Sequence, residues 1–536
     1  MTAADLIVLA DRVHTLDPAR PFAQAVAIGD GTIIGVGDRS DAGEWCSSTT
    51  NVVDLGGATV TPGLVDGHIH PVMGLGLTQG IDLTGVRSVP ELVAALRESS
   101  ATGPGDWVLG WGLDPNAFGG NAITNRPLVE AVGDVPVLVV LFDAHSAIAS
   151  PAALSLAGIT GRRSFDGGAE VVCDDNGRPT GHLLELPAYE LVRDIVPAQS
   201  SAERTRRLHD LLGKMAATGL TAGNAMDFEG DAQQLVGRLD LDVELPMRLR
   251  FAPFCMPGAT RESLDHIVDL QRQCGRRWQV DGVKFMIDGT VDGGTAWLDE
   301  PDSHGESTAP FWPEPDAYRE AMRYFAARGV PTVTHAIGDA GVRYVLDTLL
   351  DIPSAATAVP HRIEHIETVP GDLLDRFCGQ NVTASMQPTH CTLYTKADHS
   401  DNWSERLGKE RADRAFRTRD LRRAGARLAL GSDWPIAPFD ARAVIADAQL
   451  RRPHGQHDIE PVLAEQGLTA LMALEGYTSH AASAAGLQDV SGRISEGFRA
   501  DLSAFGLDPL TASPDEFAQS PVPLTVVDGT IVHRAE

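Results

Sequence analysis

The sequence predicts an α/β fold: a distorted (β/α)8 TIM barrel, with a composite β-sandwich built from both termini and a subdomain inserted after barrel strand 1. Three observations predict it. Eight strand-like segments alternate with helix-like segments through the middle of the chain, the pattern of a parallel sheet with crossover helices. Short apolar runs punctuated by turn residues occupy the two ends. Between the first and second barrel strands lie about 150 residues, several times what one crossover needs.

The N-terminal runs are residues 5–9, 25–28, 32–36 and 51–55, with Gly29-Asp30-Gly31 as a turn, and they predict a small antiparallel sheet. Residues 500–505 and 524–532 repeat the style, and Asp528-Gly529 is a hairpin signal. Joining the two ends gives a domain of residues 1–60 plus 490–536, with the barrel over 61–489 and its inserted subdomain at about 80–200. The barrel strands are expected at 59–68, 220–226, 247–254, 280–287, 330–335, 361–366, 382–387 and 427–431. Helices are expected at 203–217, at 315–328 with Gly329 as its stop, and at 411–424 with Gly425 as its stop. The insertion carries Trp107, Trp111, Asp114, Phe118, the strand-like 135–142, Asp143 and His145, and should emerge over the catalytic face.

Composition narrows the function classes. A net charge of −29 would repel phosphate backbones and anionic lipid, which excludes nucleic acid and membrane as partners and leaves a small-molecule substrate. No apolar run approaches the ~20 residues that cross a bilayer. The N-terminus has Asp5 and no basic run, so it does not read as a secretory leader; cytoplasm is the expected location, and a homodimer the expected assembly. The six cysteines show no CxxC spacing and read as reduced, mostly buried thiols.

The chemistry starts at Asp66-Gly67-His68-Ile69-His70-Pro71, after the first barrel strand. On extended backbone, residues two apart face the same side, so His68 and His70 can bind one cation. Lys284, His335, His365 and Asp433 each fall at another expected strand end. Taken singly, each has a plain reading: a hydrogen-bonded barrel histidine, an ion-paired lysine, a helix-capping aspartate. Their joint arrival at strand ends favours a metal site with a position left for water.

These segments carry a resemblance. Thr61-Pro62-Gly63-Leu64-Val65-Asp66-Gly67-His68-Ile69-His70, Gly431-Ser432-Asp433-Trp434-Pro435 and Gly497-Phe498-Arg499-Ala500-Asp501-Leu502 resemble the amidohydrolase superfamily. Asp281-Gly282-Val283-Lys284-Phe285-Met286-Ile287-Asp288-Gly289, Thr334-His335-Ala336-Ile337-Gly338-Asp339, His361-Arg362-Ile363-Glu364-His365 and Gln387-Pro388-Thr389-His390 resemble its YtcJ-like branch, which includes N-substituted formamide deformylases. The resemblance implies a metal-dependent hydrolase of non-peptide amides, with zinc as one or two divalent ions. His68, His70 and Asp433 would hold one position, and His335 and His365 a second or shared one. Lys284 would bridge as a carbamate, or stay an unmodified lysine paired with Asp288 or Asp433 beside a single metal. Metal-activated water would attack an N-formyl or N-acyl amine with Asp433 as general base and acid, and His390 or His145 would steady the oxyanion. A deaminase, a cyclic amide or imide hydrolase, and a non-catalytic regulatory binding protein are the alternatives. Two departures bear on substrate. Relatives often read Asp-Gly-Ser-Leu-Gly-Ser-Arg-Thr-Ala where this chain has Asp288-Gly289-Thr290-Val291-Asp292-Gly293-Gly294-Thr295-Ala296, and Asp143-Ala144-His145 stands where Asp-Gly-His is usual. Asp292 adds an acid near the mouth, which reads either as a solvated loop acid or as a pointer to a neutral or cationic substrate.

Overall fold

The computed structural model describes residues 3–98, 107–142, 144–165, 169–353 and 355–535. Its organisation turns on residues 59–69, an unbroken strand-like run that divides between two sheets. Thr59–Pro62 pairs antiparallel with Leu502–Phe505 from the other end of the chain, whereas Leu64–Ile69 pairs parallel with Leu220–Ala225. Gly63 sits at the division, where a Cβ would lie 2.3 Å from Thr221 Oγ1, so the crossing admits no side chain. The expected single strand 59–68 is therefore two.

Strands from both ends join in one eight-stranded sheet. Leu6–His14 pairs antiparallel with Phe22–Gly29 but parallel with Asn51–Asp54 and Thr59–Pro62, so the N-terminal part is mixed rather than antiparallel. The cause is the short helix Ala42–Trp45, which carries the chain back to enter the next strand in the same direction. Leu6, Val8, Val26, Val60, Leu502 and Val526 form the core of this unit. Leu524–Val527 and Thr530–Arg534 make the hairpin expected around Asp528-Gly529.

Two wholly parallel sheets follow. One orders Trp278–Val280, Arg248–Phe251, Leu220–Ala225 and Leu64–Ile69; the other orders Val283–Met286, Thr332–Ala336, Arg362–His365, Thr383–Met386 and Leu428–Leu430. Here too an expected strand, 280–287, is two, because the backbone turns at Gly282 with φ of +121°, which takes it out of one sheet and into the other. The sheets touch at both edges, through parallel bridges between Phe254 and Lys284 and between Ile69 and Trp434. Amphipathic helices, among them Ser201–Ala216, Pro315–Ala326 and Asp339–Leu350, bury their apolar faces against these strands. The helix expected at 411–424 is broken into Lys409–Ala412 and Thr418–Arg423. Between them Phe416 donates its N–H to Glu367 O at 2.7 Å and is buried, a tertiary bond that outcompetes helix continuation.

The long insertion carries a six-stranded sheet with its own apolar clusters, and Val137–Leu141 is the strand anticipated within 135–142. Asp143 lies outside the described residues. The cysteines differ from expectation: all six are free, but only Cys255 and Cys391 are buried, since Cys46, Cys274 and Cys378 sit on exposed turns and short helix ends. No helix among the described residues is long and apolar enough to cross a membrane.

Candidate active site

Residues at the C-terminal ends of the parallel strands converge on one cavity. His68 closes the Leu64–Ile69 strand, and His70 caps the next helix, Pro71–Leu77. Asp433 reaches them because its backbone turns left-handed at φ 60° and its N–H donates to His68 O at 2.8 Å. Asp66 fastens the same corner, its Oδ1 accepting the N–H groups of His68 and Ser432, both at 3.0 Å. His68 Nε2 lies 3.3 Å from Asp433 Oδ1, and His70 Nε2 lies 3.2 Å from it. On the other carboxylate oxygen, Asp433 Oδ2, His390 Nε2 is at 3.5 Å and His365 Nδ1 at 3.9 Å. One buried aspartate thus joins two ligand groups, His68/His70/Asp433 and His365/His390/Asp433.

A second layer of carboxylates fixes these rings. Glu364 Oε2 accepts from His68 Nδ1 at 2.6 Å, which leaves Nε2 of a neutral His68 as the ligand-type atom. Glu364 is held in turn by Arg362, whose guanidinium also donates to Gly67 O and Ser385 Oγ. Glu367 accepts from Trp403 Nε1 at 2.8 Å, with His390 Nδ1 3.6 Å from its other oxygen. Asp288 accepts three backbone N–H groups, from Trp297, Ile337 and Gly338, and lies 3.7 Å from His335 Nε2.

The electrostatics match this arrangement. Burial, with Lys284 nearby, pushes His68 well below the usual imidazole range and His335 down to about 3, so both are neutral near pH 7. Burial likewise lowers Lys284 to about 8 against the pull of Glu364 and Asp433. Burial opposes ionisation of Asp433, but His68, His70 and His390 outweigh it and hold the group as a carboxylate. His390 goes the other way: burial disfavours its charge, yet Glu367, Asp433 and Asp292 together raise it.

All eight sequence-derived candidates line or abut this cavity. His68, His70, His365, His390 and Asp433 meet at ligand-type distances. Lys284, His335 and His145 share the cavity without joining either group. His335 Nε2 is engaged by Gly289 O at 3.1 Å, while His145 Nδ1 pairs with Glu185 Oε2 at 2.9 Å. Sequence reasoning placed His390 at an oxyanion, whereas the geometry sets it beside His365 as a ligand-type ring. It also passed over Glu364, Glu367 and Glu185. The signal for Glu364 was its period-two partnership with Arg362, which puts both on one strand face; Glu185 had no local signal.

The residues fit a divalent metal on internal evidence. His365 Nδ1, His390 Nε2 and Asp433 Oδ1 are buried with no hydrogen-bond partner, a costly state for polar atoms that a cation would relieve. The donor set, imidazole nitrogen plus carboxylate oxygen, suits zinc and its neighbours. Around it the cavity is apolar, lined by Met73, Leu77, Phe142, Leu186, Phe254 and Met286, among others.

The comparisons with known proteins agree. A family model described as "Amidohydrolase family" matches residues 51–533. The chain is 28% identical to the putative amidohydrolase YtcJ of Bacillus subtilis (strain 168), over 97% of this chain and 98% of that one. It is 25% identical to the N-substituted formamide deformylase of Arthrobacter pascens, over 98% of each. Its fold is similar to that of an uncharacterised metal-dependent hydrolase from Pyrococcus horikoshii OT3, with a TM-score of 0.74, 24% identity, and 95% and 99% of the two chains covered.

Proposed function

This chain belongs to the amidohydrolase family, metal-dependent hydrolases of carbon–nitrogen bonds, and on that premise we propose that it cleaves a small, non-peptide amide, an N-formyl or N-acyl amine. The observation that carries the reading is the convergence of His68, His70, His365 and His390 on the two oxygens of Asp433 at the floor of an apolar cavity. His68, His70 and Asp433 would hold a zinc ion, with His365 and His390 offering a second position beside it. When bound, the ion polarises the amide carbonyl and lowers the pKa of water from ~15.7 toward ~7.

The protein's own groups supply the rest. Asp433 takes a proton from the attacking water and delivers it to the leaving nitrogen, so one carboxylate serves both halves of the reaction. Glu364 keeps His68 in a single tautomer, and Glu367, 3.6 Å from His390 Nδ1, places a negative charge beside that ring. His145, paired with Glu185, contacts the developing oxyanion from the insertion. Lys284, lowered to about 8 by burial, is neutral in roughly one molecule in ten near pH 7, far more often than an exposed lysine, which supports addition of its Nζ to carbon dioxide. A new N–C bond would form as a proton leaves the nitrogen, and the carbamate oxygens would be available to hold a metal.

The same reading takes the two parallel sheets as halves of a distorted (β/α)8 barrel, with residues 1–60 and 490–536 as a composite sandwich and about 80–200 as an inserted lid. It places the enzyme in the cytoplasm, as a homodimer without nucleic-acid or membrane partners. The test is purified, zinc-loaded protein assayed on amides, imides, carbamates and esters with product analysis. Release of a free carboxylate and an amine is expected; ammonia release would transfer the site to a deaminase, and inertness on every class would refute hydrolysis.

A further inference from the structure

One wall of the cavity combines an acid with aromatic rings, most of them from outside the insertion. Asp292, on the loop that follows the Lys284 strand, is half-buried and lines the cavity. Asn402 donates its Nδ2 to both Asp292 O and Asp292 Oδ1, each at 3.2 Å, so the side chain is held in place on the wall. Asn402 is a neutral amide, and a carboxylate accepts several hydrogen bonds while keeping its charge. The next residue, Trp403, is buried and lines the same cavity, packed on Phe416 with ring centroids 5.0 Å apart. Tyr394 and Phe142, 4.1 Å apart, add two further rings.

We propose that Asp292, with Trp403, Phe416 and Tyr394, selects amides that carry a cationic substituent, a substituted ammonium, at a distance from the scissile bond. The inference rests on the amide-hydrolase reading and names its substrate class. Apolar walls alone would favour any neutral amide. An acid set among aromatic rings favours a cation, through Coulomb attraction and the negative faces of the rings. Of the basic groups that line the cavity, Lys284 faces Glu364 and Asp433 on the floor, His390 faces Glu367, Asp433 and Asp292, and Arg193 of the insertion is offset by Glu190 at 2.9 Å and Asp194 at 3.4 Å and lies over the Tyr189 ring. The excess of acidic residues, 73 against 44 basic, also draws cations toward the molecule.

The experiment compares two amides identical except for the distal group, trimethylammonium in one and the isosteric tert-butyl in the other. Zinc-loaded wild type should prefer the cationic amide in kcat/KM by about tenfold or more, through KM. Asp292→Asn should bring the ratio toward one, and Phe416→Leu should lower it by a smaller factor. Calorimetry with choline and its neutral isostere 3,3-dimethylbutanol, run on metal-free protein, gives the same comparison without turnover. Hydrolysis of both amides with equal kcat/KM, or choline binding no tighter than its isostere, overturns the inference and leaves the hydrolase reading intact. Hydrolysis of neither amide, with choline still preferred in an Asp292-dependent way, overturns the hydrolase reading instead. Should Asp292→Asn fail to fold, the wild-type pairs and Phe416→Leu still decide.

Discussion

The floor and the wall of the cavity are built by different physics. On the floor every ring has a buried polar partner: Glu364 on His68, Glu367 near His390, and Asp433 between two pairs of imidazoles. These groups stand at the ends of hydrogen-bonded strands, and Arg362 with Glu364 forms an ion pair with both side chains almost wholly inaccessible to solvent. The wall is assembled from the Pro71–Leu77 helix, the insertion and several loops, and apart from the charged Asp292, Glu367 and Arg193 and the polar His145, Thr290 and Thr395 its lining is apolar or aromatic. Apolar contacts depend on volume and tolerate repacking, whereas a buried charge is strongly destabilised when its partner goes. Reaction type is therefore set by the floor together with His145, and substrate choice can change in the rest of the wall without disturbing them.

Removing the metal is the largest way to break that division. Dialysis against a strong chelator should abolish amide turnover and restore it on adding zinc, while 3,3-dimethylbutanol still binds the wall by calorimetry. A loss of both would mean that floor and wall fold as one unit. Chelation should also lower Tm, because a ligand held at 1,000 times its Kd stabilises by about 4 kcal/mol.

Asp433→Asn comes next. The amide retains size and one acceptor oxygen but cannot shuttle a proton, so kcat should fall by about 10²–10⁴-fold with wall ligands bound as before. A residual activity near wild type would remove Asp433 from the chemistry. Glu364→Gln acts one layer further out. Metal affinity should weaken by about 10–100-fold, because His68 loses the acceptor that fixes its tautomer. Unfolding in urea should show a loss of about 3–5 kcal/mol, because Arg362 is left buried without its counter-charge. Unchanged zinc affinity in this variant would show that His68 needs no orienting partner.

The same contrast governs what the sequence disclosed. The floor was legible because strand ends combine a short apolar run with a following ligand-type residue, as in Val333-Thr334-His335 and Gly431-Ser432-Asp433. The orienting carboxylates were present in the same segments but unassigned, since Glu364 gains its meaning only from His68, which is remote in sequence. Local pattern also failed where tertiary contacts decide. Residues 59–69 and 280–287 are continuous in strand character, yet close packing at Gly63 and the backbone turn at Gly282 each divide one run between two sheets. Most strands of the insertion escaped notice; Val108–Leu113 contains Gly110 and Gly112, which dilute its alternation. The wall drew on those illegible parts, which is why the chemistry could be read further than the substrate.

The smallest expected effect tests whether the wall is as tolerant as its contacts suggest. Phe142 comes from the insertion and packs against Tyr394 of the core at 4.1 Å, and both rings line the cavity. Aromatic pairs of this kind contribute about 0.5–1.5 kcal/mol beyond the area they bury, which corresponds to a KM rise of roughly 2- to 13-fold in Phe142→Ala if the pair shapes the substrate site. Because Phe142 packs on Tyr394 rather than in either ligand group, kcat should stay within about twofold, a change of less than about 0.5 kcal/mol in the activation barrier. A collapse in kcat with KM unchanged would instead tie the insertion to the placement of the reacting atoms, and the separation of floor from wall would have to be redrawn through the Phe142 and Tyr394 contact.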